Sequence, residues 1–308
     1  MAKRAQNIVA ESRIALPFAA TYALLVWLAA GVIGGNWWLQ LLCFTATTYM
    51  MVELNNQNAL IRIYSRMVSC AFLVLLCAGC FLFASLRAAF GMLCFVAFLL
   101  LLFSTYQRHH TPGVIFFAFC MIGLASLVHV QIVFFVPLFW LFMAFKIQSL
   151  SWRTFFASVL GMLFPYWFVG AYMLWVGDFT PFVNHIGSLG NVTLSFEYTM
   201  LTTGEMLFYI LLLLVNFIGT VHYLRSRYKD KIRVRMLFDC FAIMAWITVI
   251  LVPLQPQYIT LYVPMLTVCV SPLIGHFLAL TSTRWTNIVF WVITAATVFV
   301  TVYNLWAP

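Results

Sequence analysis

Four side chains able to move protons share one stretch between apolar runs: Asp178, His185, Glu197 and Glu205. A carboxylate at a membrane surface can act as a general base, taking a proton from an acceptor while a lipid-linked donor is attacked. The stretch from Gly177 to Gly204 supplies acids and a histidine but no recognisable spacing. The plainer reading is a solvated loop, since proton-transfer groups are identified by geometry first. Asn191-Val192-Thr193 in the same stretch matches a glycosylation sequon, which matters only where that machinery exists.

A second polar group is Glu53-Leu54-Asn55-Asn56-Gln57-Asn58, followed by Arg62 and Arg66. Asn58, Arg62 and Arg66 are spaced four apart, so on a helix they would line one face. Two guanidiniums can fork to phosphate oxygens while an amide orients the ligand, which makes the trio a lipid-headgroup or phosphate candidate. The simpler role is a topological anchor with Asn as a cap. A third group runs from Arg225 to Arg235, with six bases and one acid, Asp230. Such a run attracts anionic lipid by about 1 kcal/mol per charge near the surface.

The six histidines are His109, His110, His129, His185, His222 and His276. A membrane iron centre would need several at i, i+3 or i, i+4 spacing on adjoining helices. Only the adjacent His109-His110 pair is close, and neighbours do not share a helix face. His129, with Gln131 beside it, and His276 lie near or within apolar runs, where an ionisable group is a functional candidate by default. A lone one is more often held by a hydrogen bond to a neighbouring helix. All eight cysteines fall inside apolar runs. The pair Cys77 and Cys80 has no second ligand pair, so small buried hydrophobes are the better reading. No metal site and no cofactor is implied.

The elements that must position these residues follow from composition. The 308 residues are 65% hydrophobic and 7% charged, whereas a soluble domain carries about a quarter charged residues. The chain must use lipid as solvent, as a single integral membrane domain over residues 1–308. Eleven apolar segments stand out: Ile14–Gly34, Trp37–Val52, Val68–Leu86, Ala88–Tyr106, Gly113–Val128, Val130–Phe145, Phe155–Val176, Met206–Leu224, Met236–Leu254, Tyr258–Leu280 and Trp285–Trp306. They lack period-two alternation, so an all-α polytopic helix bundle of ten or eleven spans is expected. The basic N-terminus before the first run reads as an uncleaved signal anchor.

With the N-terminus in the cytoplasm, fifteen of the sixteen Lys and Arg residues fall in inside loops, and Arg87 alone falls outside. The opposite orientation reverses that bias. The C-terminus and the 177–204 loop are then extracytoplasmic. The net charge of +9 is thus loop charge, facing anionic headgroups at the cytoplasmic face rather than nucleic acid. One pair of segments is short. Gly113 to Phe145 allows about 24 Å per arm at 1.5 Å per residue, so the two arms either meet near the outer interface or form a re-entrant pair. Its tip, Val128-His129-Val130-Gln131, contains no Gly or Pro.

The stretch around Gly123-Leu124-Ala125-Ser126, Trp152-Arg153 and Leu163-Phe164-Pro165-Tyr166 resembles the middle of an uncharacterised multi-pass membrane family of Bacteroidota. Asn58…Arg62…Ser65-Arg66 and the segment Tyr258–Phe277 are similar as well. Val128-His129-Val130-Gln131 stands where a Tyr-Pro-like turn is expected in that family. The resemblance implies a Gram-negative inner membrane and supplies no catalytic residues. Some members carry a carotene-oxygenase label, which the histidine spacing here does not support. Two functional readings remain open. One is a non-enzymatic carrier, flippase-like or assembly component of the cell envelope. The other is a membrane glycosyltransferase or polymerase acting on polyprenyl-linked sugars. The first outer loop, Gly34-Gly35-Asn36-Trp37, lacks the acid typical of polyprenyl-donor transferases, which favours the first reading. Nothing in the sequence names a protein partner.

Overall fold

The computed structural model describes residues 4–190 and 201–306, and all regular structure among them is helical. The chain opens with α1 (Ala5–Glu11), bent by 94° from α2 (Ala15–Ala29). Then come α3 (Trp38–Asn58), α4 (Met67–Ala78), α5 (Leu86–Ser104) and α6 (Pro112–Val128). Residues 130–146 are helical but change pitch: a 3-10 stretch (Val130–Phe135), α7 (Val136–Leu141) and a π turn (Phe142–Lys146). The rest is α8 (Trp152–Val176), α9 (Thr180–Gly187), α10 (Thr203–Ser226), α11 (Ile232–Leu254), α12 (Ile259–Leu280) and α13 (Arg284–Trp306).

Six helices among the described residues are long and apolar enough to cross a membrane, or seven if the bent α1–α2 pair counts as one span. Their number marks a membrane-embedded protein; ten or eleven helices of spanning length are not found among the described residues. The reasons are local. α4 stops after 12 residues at Gly79, a rise of about 18 Å. α6 has 17 residues and the helical stretch Val130–Lys146 is no longer. α3 reaches 21 residues, but its last turns are Glu53–Asn58, too polar for the hydrocarbon. The tip expected at 128–131 is where the helix breaks: His129 is extended (φ −134°, ψ 93°).

The helices group into two compact units, Met1–Ala89 with Phe196–Pro308, and Phe90–Ser195. In the first unit α12 is the centre, buried along nearly all of its length. A helix apolar all round belongs inside. Lipid tails are as apolar as leucine, so burial alone does not hold such helices together; close backbone approach and hydrogen bonds do. Gly275 of α12 faces the backbone of Val68, and Gly219 of α10 faces that of Leu273 and Ile274, so a β-carbon at either would sit 3.0–3.1 Å from those atoms. The early end of α4 is covered from α13, where Asn304 Nδ2 donates to the Ala78 carbonyl at 2.7 Å. Broken helix is tolerated at membrane depth only with such cover.

In the second unit α6 packs on α8 through two glycines. A β-carbon on Gly123 would stand 2.5 Å from the Met162 carbonyl, and one on Gly161 would fall onto the Phe116 carbonyl. Ser151 starts α8 with a reciprocal capping box to Thr154, and Gly177 (φ 77°) ends it. Trp140 Nε1 donates to Ser158 Oγ at 2.9 Å, giving the half-buried indole its partner.

Candidate functional site

α3 ends at Asn58 because Ala59 turns left-handed (φ 47°) and donates its N–H to Asn55 O. Residues 60–66 then run as an irregular connector into α4, held by Asn55 Nδ2 donating to Ser65 O at 3.0 Å. This corrects the expectation that Asn58, Arg62 and Arg66 line one helix face. Each meets a different partner. Asn58 Oδ1 accepts from Arg233 Nη2 at 2.7 Å. Arg62 Nε lies 3.0 Å from Asp230 Oδ1, and its Nη1 reaches the Lys229 carbonyl at 3.4 Å. Arg66 Nε donates to the Tyr64 hydroxyl at 3.3 Å.

Asp230, the single acid of the basic run, sits in the turn between α10 and α11 and is the node of this end of the unit. Its side chain is wholly buried, and Oδ2 lies 3.1 Å from Nε2 of His276, which is equally buried in α12. An ionised carboxylate only accepts hydrogen bonds, so this contact uses a hydrogen on Nε2 and leaves Nδ1 outside it. That Nδ1 is buried and has no hydrogen-bond partner among the described residues. The His222 ring lies 5.4 Å from the His276 ring, and Phe238 lies 4.9 Å from it, edge-on. Beside them Tyr223 OH stands 2.7 Å from Asp239 Oδ1, and Arg227 Nη2 stands 3.8 Å from Asp239 Oδ2. Arg62 is 36% exposed, so its charge keeps contact with water while the carboxylate and imidazole do not.

This arrangement can do two things. It ties three distant segments together through one carboxylate: the 60–66 connector, the α10–α11 turn and α12. It also offers an imidazole whose second nitrogen lies outside these contacts. No group of three or more His, Cys, Asp or Glu side chains is arranged to hold a metal ion among the described residues. The eight cysteines are buried thiols rather than disulfides; Cys80 Sγ donates to the Cys77 carbonyl at 2.9 Å.

The other candidates have local roles. Asp178 is exposed, and its Oδ1 accepts from the Thr180 N–H at 2.9 Å at the start of α9. Hydrogen bonds from the Thr180 side chain and then its backbone hold the Asp178 carboxyl below its ordinary value. Glu205 Oε2 accepts from Thr202 N at 2.8 Å, and Thr202 Oγ1 accepts from Glu205 N in return: a capping box on α10. Thr202→Ala is therefore expected to cost about 1 kcal/mol, read as a small drop in the unfolding midpoint in detergent. His185 Nε2 lies 2.9 Å from the Ser126 carbonyl. Glu197 and the 191–193 sequon lie outside the described residues. In the second unit His129 is half-buried at the helix break and Gln131 is buried just after it.

Sequence reasoning picks out Asp230 and His276 separately but does not join them. The available signal is a lone acid in a basic run and a lone histidine in an apolar helix. Compared with known proteins, the chain matches no family model, no curated protein and no solved structure.

Proposed function

We propose that the chain is a non-enzymatic, carrier-like component of a bacterial inner membrane, with the Arg62–Asp230–His276 cluster as its working site at the cytoplasmic face. The orientation rests on loop charge, which puts the N-terminus inside and the C-terminus in the periplasm. On this reading the eleven apolar segments are all membrane-embedded, with the 113–145 pair crossing or re-entering from one side.

The observation that carries the proposal is the buried Nδ1 of His276, without a hydrogen-bond partner among the described residues. Leaving a buried polar atom unpaired costs about 1–3 kcal/mol, so a mere brace gains nothing from it. Ionisable groups buried between membrane helices commonly mark a substrate or proton path. A transferase would instead rest on Asp178, Glu197 and Glu205, and the two of these that are described are engaged locally, Asp178 by the Thr180 N–H and Glu205 in the capping box of α10. The test is complementation of a strain lacking the gene by the triple variant Asp178→Asn, Glu197→Gln and Glu205→Gln. Restored growth is expected. Failure at normal protein level moves the chemistry to the outer acids and sinks the carrier reading.

A further inference from the structure

An apolar cleft of about 290 Å³ opens on the first unit between α2, α4, α12 and α13. Small side chains make the room: Ala15 and Ala19 on α2, and Cys70 and Ala71 on α4. Three polar side chains reach its wall, and each already has a partner. Tyr22 OH donates to Thr301 Oγ1 at 3.0 Å, Thr294 Oγ1 to Phe290 O at 2.8 Å, and Thr297 Oγ1 to Ile293 O at 2.7 Å. A polar ligand would lose its water here and find no replacement, at a cost of about 1–3 kcal/mol per group. A hydrocarbon loses nothing, and dry apolar cavities of this kind take up apolar guests.

One end of the cleft has a basic rim. α1 turns 94° away from α2 and lies across the end of α12. Gln6 Nε2 donates to Leu278 O at 2.8 Å, and Asn7 Nδ2 to Thr281 O at 3.1 Å. Val9 of α1 and Leu278 both line the cleft, so α1 and the end of α12 form its wall here. Next to its lining in sequence come Arg13, two residues before Ala15, Arg66, immediately before Met67, and Arg284, the first residue of α13, with one acid among them, Glu11. Arg13 and Arg284 are exposed, and Arg66 Nε donates to the Tyr64 hydroxyl.

We propose that this cleft seats one acyl chain of an anionic phospholipid, whose headgroup phosphate is met by Arg13, Arg66 and Arg284. Apolar walls select the tail, and the guanidiniums at one end select the charge of the head. The inference stands apart from the carrier reading: a lipid can be held here whatever the His276 cluster does.

The full chain, reconstituted in vesicles of phosphatidylcholine and phosphatidylglycerol, is photolabelled with a trace of phosphatidylglycerol carrying a diazirine at its acyl terminus. Adducts are mapped by mass spectrometry. Labelling of Tyr22, Leu75 and Thr297 is expected to exceed that of the exposed Trp167 and Trp175 of α8 by about tenfold, the ratio for 1.4 kcal/mol. Ala71→Trp fills the cleft and should bring its labelling down to the α8 level. The triple variant Arg13→Gln, Arg66→Gln and Arg284→Gln should remove the preference for phosphatidylglycerol over a phosphatidylcholine probe while the tail still labels the cleft. Should Ala71→Trp fail to fold, competition on the unaltered chain decides: unlabelled phosphatidylglycerol displaces the label and phosphatidylcholine does not. Equal labelling of cleft and α8, or equal competition by the two lipids, overturns the proposal in favour of ordinary surrounding lipid.

Discussion

Asp230→Ala is expected to lower the stability of the first unit by about 2–4 kcal/mol, the range for breaking a buried charge pair discounted for a partly hydrated partner. The change leaves the buried N–H of His276 without its acceptor and Arg62 without its counter-charge. Most of the loss comes from His276, because Arg62 keeps water on one side. Asp230→Asn should cost less, since its carbonyl oxygen can still accept from Nε2. The measurement is the unfolding midpoint in detergent, followed by tryptophan fluorescence. A second arm tests the coupling: in an Asp230→Ala background, His276→Ala should add little, because residues sharing one network are not additive. Full additivity of the two changes would show that the contact contributes nothing.

Gly161→Val should damage the second unit about as much, by about 3 kcal/mol, near the upper end for overpacking a tight core. The new β-carbon would fall on the Phe116 carbonyl, a backbone atom that cannot swing aside. Gly123→Val meets the Met162 carbonyl from the facing helix and should behave alike. The control lies in α8 itself. A β-carbon at Gly170 would meet nothing within 4 Å, so Gly170→Ala is expected to be neutral or stabilising by up to about 1 kcal/mol through helix propensity. Equal effects at 161 and 170 would mean that helix propensity, not the α6–α8 approach, governs both sites.

Much of the architecture is legible in the sequence, and the failures have physical causes. Long apolar runs without alternation admit only helices in lipid, and each of the eleven runs is helical in the main. Their lengths are harder to read. Gly79 stops α4 inside an unbroken apolar run because the chain makes a close approach there: a β-carbon would meet the Phe208 ring at 2.7 Å. Hydropathy carries no trace of that contact. Ala59 ends α3 in a left-handed turn, a conformation that alanine rarely signals, and so the four-residue spacing of Asn58, Arg62 and Arg66 points to a shared face that does not exist.

The site is legible only in pieces. Residues 62, 230 and 276 meet through tertiary packing, and no local spacing rule joins a connector, a turn and a helix. The same holds for His222 and His276, whose rings approach although no short spacing relates them. The outer acids are a different case. Thr202 followed three residues later by Glu205 is a capping-box pattern, and the box is present. Its local signal outweighs the catalytic one at that position, as the Thr180 N–H does for Asp178.

The most direct test separates a chemical role of His276 from a bracing one. In His276→Gln the side-chain amide can still donate to Asp230, while the second ring nitrogen is gone. Measured by complementation of the gene-deleted strain, with protein level and unfolding midpoint checked in parallel, the variant should be present and folded but unable to restore growth. Full restoration would contradict the assignment and leave Asp230 and His276 as a brace alone.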